Sequence, residues 1–187
     1  QYCHIQLSVF GFASFCIDVT FTIVGPPVYI ASEIIQTKGY NKSVDWWSLG
    51  VLIYEMLSGF TPFYDSNTLK TYDNILNAPL KFPMSKNFSN EVIDLLTKLI
   101  NRDLTQRLGN LQNGVEDIKS YIWFQEVNWQ KMYKKNIETP YEPPINAGHG
   151  DTSQYAFFEE DTVDTKQYGI MLNLGAEDAY QHAIDGF

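Results

Sequence analysis

The sequence predicts a mainly α-helical body followed by a long, irregular, acidic arm. Three observations carry that expectation. Residues 44–57, VDWWSLGVLIYEML, form an apolar run bounded by helix signals. Residues 90–100 place Val92, Leu95, Leu96, Leu99 and Ile100 on one helical stripe. Charge is segregated: Asp151 to Phe187 holds eight acidic residues against Lys166 alone, and the rest of the chain holds 14 acidic and 12 basic residues. The body is thus nearly neutral, and a tail of such charge is usually solvated and extended. With 187 residues, 44% of them hydrophobic, the chain can bury one core of ordinary domain size.

Each element follows in order. Residues 1–24 are rich in Phe, Ile, Val and Thr and read as short strand segments. Gly25-Pro26-Pro27 reads as a turn that is not helical. In the run that follows, Asp45 suits an N-cap and Gly59 a C-terminal stop. Its apolar residues go almost all the way round, which places the helix inside a domain. After Thr61-Pro62-Phe63 a second helix is expected from about Asn67 to Leu76, then a loop through FPMSKNF, then the helix Asn90–Ile100. RLGN at 107–110 is a turn, and Val115 to Tyr121 suggests one more short helix. From about Gln125 the periodicity weakens, and ETPYEPPINAGHGDTSQ reads as extended loop. No internal repeat is present.

Several function classes recede on composition. A net charge of -9 disfavours nonspecific nucleic-acid or anionic-membrane binding. Cys3 and Cys16 make no CxxC pair and no disulfide framework, so a reducing intracellular compartment is expected, cytoplasmic with the nucleus also open. The apolar stretch Leu7–Val24 lacks a basic start and is interrupted by Asp18, Thr20 and Thr22, unlike a signal or membrane helix. His4, His149 and His182 are scattered, so no metal site is indicated.

The stretch GPPVYIASEI resembles the protein-kinase segment GTPxYxAPE. SVFGFASF, NKSVDWWSLG, LIYEMLSGFTPFYDSNTLKTY, RLGNLQNG and IETPYEPPI…GDTSQ follow in the family's order. Together they are similar to the catalytic subunits of cyclic-AMP-dependent kinases, of the fungal type, within the AGC Ser/Thr kinases. The likeness runs without obvious gaps from about His4 to Gln154 and is weaker beyond. It implies the α-helical C-terminal lobe of the kinase fold over residues 1–124 and an AGC-type tail, acidic and partly mobile, over 125–187. The sequence contains no GxGxxG, no VAIK-like strand and no HRD, so the N-terminal lobe is expected to be absent from it.

The same resemblance assigns site residues. Val9 stands where the family's Asp holds Mg bridging the ATP phosphates, and valine has no ligand atom. The family uses Mg and ATP, and neither is expected to bind tightly to this chain alone. Thr22 matches the activation-loop phosphoacceptor, and an unmodified Thr in a loop fits equally. Pro26 departs from the family's Thr and offers neither hydroxyl nor N–H. Ser32 replaces the Pro of APE, while Glu33 and Arg107 match a buried structural ion pair. Asp45 matches an acid that receives catalytic-loop N–H groups, and its helix-cap reading suffices here. Glu55 matches the acid that recognises an arginine upstream of the target Ser or Thr, and a plain helix-end Glu is the bland reading. Ile23, Pro27 and Ile30 match the apolar pocket for the residue after the phosphoacceptor. Tyr72, and Phe21 more loosely, match contacts to the regulatory subunit. Tyr155 and Phe158 stand at an aromatic motif near the nucleotide, and Ile184 to Phe187 at a docking motif.

The implied whole-family reaction is ATP-dependent phosphorylation of Ser or Thr in basic peptides. These residues alone are expected to be inactive, and marginally stable because an apolar face is left uncovered. The alternatives are a non-catalytic module that binds a regulatory subunit or basic substrates, and a decaying gene remnant. The substitutions at Val9, Pro26 and Ser32 favour the alternatives.

Overall fold

The computed structural model describes residues 4, 5, 7, 8, 10–14, 19–84, 88–142 and 144. Two compact units divide the chain, Gln1–Tyr141 and Glu142–Phe187, and every element below lies in the first. The sequence-derived positions Val9, Tyr155 and Phe158, with the docking motif at 184–187, lie outside the described residues.

Helix α1 (Ser32–Ile35) is a single turn, α2 spans Ser43–Ser58, α3 Thr68–Asn77 and α4 Asn90–Leu99. Helix α5 (Val115–Lys119) and α6 (Trp129–Tyr133) are short. Two 3-10 turns, Pro27–Tyr29 and Ile122–Phe124, complete the set. The body is helical, in keeping with a kinase C-terminal lobe.

Helix α2 is the centre of the core. Trp47, Val51, Ile53 and Tyr54 are buried, and the helix ends at Gly59, whose φ of 85° only glycine adopts without strain. Gly50 lets α2 meet α4 closely. A Cβ there would lie 2.7 Å from Ile100 Cγ1 and 2.9 Å from Leu99 Cβ. Helix α4 turns Val92, Leu95, Leu96 and Leu99 into that contact, with Ser89 Oγ accepting from Val92 N. Helix α3 starts on Asn67, whose Oδ1 accepts from Leu69 N at 2.9 Å. Its last carbonyls are satisfied by Arg102, which donates to Ile75 O at 2.7 Å and Ala78 O at 2.6 Å. Trp47 stacks on Phe63, and Tyr54 gathers Phe60, Phe82 and Phe88 round its ring.

Five expectations need correction. The strand segments of residues 1–24 do not form among the described residues. One isolated antiparallel bridge, Thr20 with Tyr40, is what remains, because a strand needs a partner to satisfy its backbone and the flanking residues are exposed. The Gly-Pro-Pro segment is partly helical: Pro27 opens a 3-10 turn, since proline at a first helical position sacrifices no hydrogen bond. Asp45 is no cap but lies in the first turn of α2, where Lys42 occupies the cap position without a side-chain bond. Helix α2 is not interior all round, because Leu52 and Met56 are exposed on one side. The weak pattern after Gln125 conceals α6, which begins on Asn128 as its Oδ1 accepts from Lys131 N at 3.0 Å.

Candidate functional site

The N-terminal end of α2 is tied to α1 and to the turn at 107–110 by one buried ion pair. Arg107 Nη1 donates to Glu33 Oε1 at 2.6 Å and Nη2 to Glu33 Oε2 at 2.9 Å, with both side chains shut off from water. Two further bonds hold the guanidinium. Nε reaches Asn101 O at 2.8 Å, and Nη1 also reaches Ser43 O at 3.1 Å. The guanidinium lies 5.2 Å from the centre of the Trp47 ring. Ser32 Oγ donates to Glu33 Oε2 at 3.3 Å from a buried position. A buried charge is tolerated only when paired and hydrogen-bonded, and this one is both. The adjoining turn packs as tightly. A Cβ on Gly109, φ 88°, would lie 2.6 Å from Trp46 Cδ1.

The other end of α2 carries Glu55, half-buried. The Tyr29 hydroxyl, in the Pro27–Tyr29 turn, donates to Glu55 Oε2. That bond first, then burial and the carboxylate's charge, push the Tyr29 phenol up to about 12. Ser48 Oγ donates to Tyr29 O at 3.0 Å, so α2 positions both the hydroxyl's partner and the turn that presents it. Among the described residues no lysine or arginine forms an ion pair with Glu55. Its free lone pairs can accept from an external cation.

The other expected site residues divide. Pro27 is half-buried beside Tyr29, Ile30 belongs to the core, and Ile23 is exposed. Thr22 is exposed, and its carbonyl accepts from the Tyr40 hydroxyl. Phe21 is exposed, with its ring edge 3.0 Å from where Gly39 would carry a Cβ. Tyr72, on α3, is half-buried against the core, and α3 packs on α1 and the Pro27–Tyr29 turn. Asp45 is exposed over much of its surface, yet the packed helix round it raises its carboxyl above the ordinary range by desolvation. Tyr29 and Tyr40 were not singled out from sequence. Each acts on a residue far along the chain, 26 and 18 positions away, and no local pattern signals that.

Val9 carries no side-chain ligand atom, and no three His, Cys, Asp or Glu side chains cluster among the described residues. No helix there is long and apolar enough to cross a membrane.

Residues 1–124 match the family model described as "Protein kinase domain". The chain therefore belongs to the protein kinase family. Within that family its relatives are cyclic-AMP-dependent catalytic subunits, fungal ones among them. It is 57% identical over 184 residues to the "cAMP-dependent protein kinase type 3" of Saccharomyces cerevisiae, covering 98% of this chain and 44% of that protein. It is 44% identical over 185 residues to the "cAMP-dependent protein kinase catalytic subunit" of Arthrobotrys oligospora, covering 98% of this chain and 34% of the relative. The like-named protein of Schizosaccharomyces pombe is 46% identical over 162 residues, covering 86% of this chain and 31% of the relative. The chain thus spans less than half the length of these relatives.

Proposed function

We propose that these residues form the peptide-docking part of a Ser/Thr kinase of the cyclic-AMP-dependent type, one whose own residues do not transfer phosphate. The observation that carries the docking half is Glu55: a half-buried carboxylate held by the neutral Tyr29 hydroxyl, with no cation of the described chain paired to it. Such a group favours a guanidinium, so a basic Ser or Thr peptide is the ligand class. The inactive half rests on Val9, which lacks a metal ligand, and on Pro26, which lacks a hydroxyl. Positioning and charge stabilisation do nearly all the work of phosphoryl transfer, and these substitutions take one metal-ligating carboxylate and one hydroxyl from it. Mg and ATP remain the cofactors of the proposed family reaction. The proposed location is intracellular, in cytoplasm and nucleus.

The test is fluorescence anisotropy of a labelled peptide with two arginines upstream of a serine. The expected result is saturable binding, weakened at least several-fold by Glu55→Gln. Equal binding by the variant overturns the docking assignment. Incubation with Mg-ATP is expected to leave the peptide unlabelled. Labelling that Glu55→Ala abolishes overturns the inactive half.

Val9 and Pro26 also favour a second reading, a non-catalytic module for a kinase regulatory subunit. Capture of such a subunit, lost on Tyr72→Ala, supports the module over a decaying remnant.

A further inference from the structure

Asn113-Gly114 is the sole Asn-Gly pair of the sequence, and every other asparagine is followed by a residue that carries a side chain. The pair sits in the turn that leads into α5. Gly114 N donates to Leu111 O at 3.0 Å, and Gly114 O accepts from Asp117 N at 3.2 Å. Gly114 immediately precedes α5, at φ 58° and ψ -123°. Only glycine adopts that backbone without strain. A Cβ built there meets nothing within 4 Å, so conformation and not space demands glycine.

The backbone nitrogen after an asparagine can attack the side-chain carbonyl carbon and close a cyclic imide. A side chain on the attacking residue crowds that closure, and glycine has none. The turn therefore requires, at position 114, the residue that leaves Asn113 most open to attack. Asn113 is exposed, yet its amide is held: Nδ2 donates to Asp117 Oδ1 at 2.9 Å. Asp117 Oδ2 is buried and has no hydrogen-bond partner among the described residues. Exchanging the amide for a carboxylate would set two like charges together, beside Glu116 in the first turn of α5.

We propose that Asn113-Gly114 is a self-modifying site that converts Asn113 to aspartate and isoaspartate, restrained by the Asp117 carboxylate. Gly114 N gives its proton to hydroxide and forms a bond to Asn113 Cγ. The Cγ–Nδ2 bond breaks, and ammonia leaves with a proton from water. Water then opens the imide. Addition at Cγ gives aspartate, and addition at the main-chain carbonyl carbon gives isoaspartate. Amide and water become acid and ammonia, with no electrons exchanged. The bond to Asp117 breaks before Cγ turns onto Gly114 N. The product does not remake it, because an ionised carboxylate has no donor. Conversion is thus one-way and loosens the start of α5, which carries the buried Ile118.

The test incubates the full chain in mildly alkaline buffer. The peptide from Leu108 to Lys119 is then followed by mass spectrometry with fragmentation that resolves isoaspartate. The expected result is amide-to-acid conversion at Asn113, with isoaspartate in excess and a rate that rises with pH. Asn110, followed by Leu111 in the same peptide, should stay intact. Gly114→Ala should slow conversion at least tenfold, and Asp117→Ala should speed it several-fold. Asp117→Asn keeps an acceptor for Nδ2 and should convert more slowly than Asp117→Ala. Asn113→Asp should lower the urea midpoint. An intact Asn113, or equal conversion at Asn110, overturns the site. Aspartate without isoaspartate, or an unchanged rate in Gly114→Ala, overturns the route through Gly114. Equal rates in the two Asp117 variants, or no gain in Asp117→Ala, overturn the restraint. An unchanged midpoint in Asn113→Asp overturns the loosening of α5.

Discussion

The two ends of α2 each hold a carboxylate, and the two are in opposite states. Beneath the N-terminal end, Glu33 takes two bonds from Arg107 and one from Ser32, entirely out of water. At the C-terminal end, Glu55 is half-buried and takes one bond from a neutral phenol. The first carboxylate is neutralised by a cation of its own chain and is closed to an external one. The second is oriented but not neutralised. Saturation, more than burial, separates an acid that holds a fold from one that can hold a ligand.

The comparison is broken most sharply at Arg107. Arg107→Ala strands the Glu33 carboxylate, and a loss of about 3–5 kcal/mol of stability is expected by urea unfolding. A loss under about 1 kcal/mol would mean that the two ends do not differ in kind. Next comes the middle of α2. Gly50→Ala forces a methyl onto Ile100 and Leu99, and about 1–3 kcal/mol of destabilisation is expected in the same assay. Thr37 closes α1 in the left-handed region at φ 52°, which a β-branched residue resists. Thr37→Gly is therefore expected to raise stability by about 0.5–1 kcal/mol, read as a shift in thermal midpoint.

The smallest stability effect is expected at the open end. Glu55→Gln keeps a hydrogen-bond acceptor for Tyr29, and a change of less than about 1 kcal/mol is expected at neutral pH. Its signature is in titration. The Tyr29 phenol is raised to about 12, chiefly by its bond to Glu55. An acid raised in the folded state is stabilised in its neutral form. That contribution is fully present below the ordinary phenol range near 10 and is lost as pH climbs from there through about 12. Ultraviolet titration, with Tyr29→Phe to assign the transition, should show the phenol returning toward its ordinary range in Glu55→Gln. A phenol unmoved by Glu55→Gln would sever the link between the turn and α2.

Much of the helical body was readable from local pattern. The period of Val92 to Ile100, the start near Asn67 and the stop at Gly59 are short-range signals, and α3, α4 and the end of α2 fall where they point. Helix α6 escaped because five residues hold too few turns for periodicity, although Asn128 was a cap in plain view. The strands failed because alternation and β-branched residues state a preference, while pairing requires a neighbour. The three substitutions in the kinase-like stretch also looked alike in sequence. Tertiary packing separates two of them. Ser32 places its hydroxyl on the Glu33 carboxylate, so it is an accommodated change. Pro26 is exposed and extended, its carbonyl accepting from Tyr29 N at 3.0 Å.

By itself the sequence determined where the longer helices α2, α3 and α4 run and which family the order of motifs spells, because caps, periodicity and motif spacing act over a few residues. Only the tertiary structure decided what each acid does. Glu33 and Arg107 are 74 positions apart, and Tyr29 and Glu55 are 26. Whether a carboxylate is saturated or left open depends on donors brought from such distances by burial of α2, and no local pattern records that.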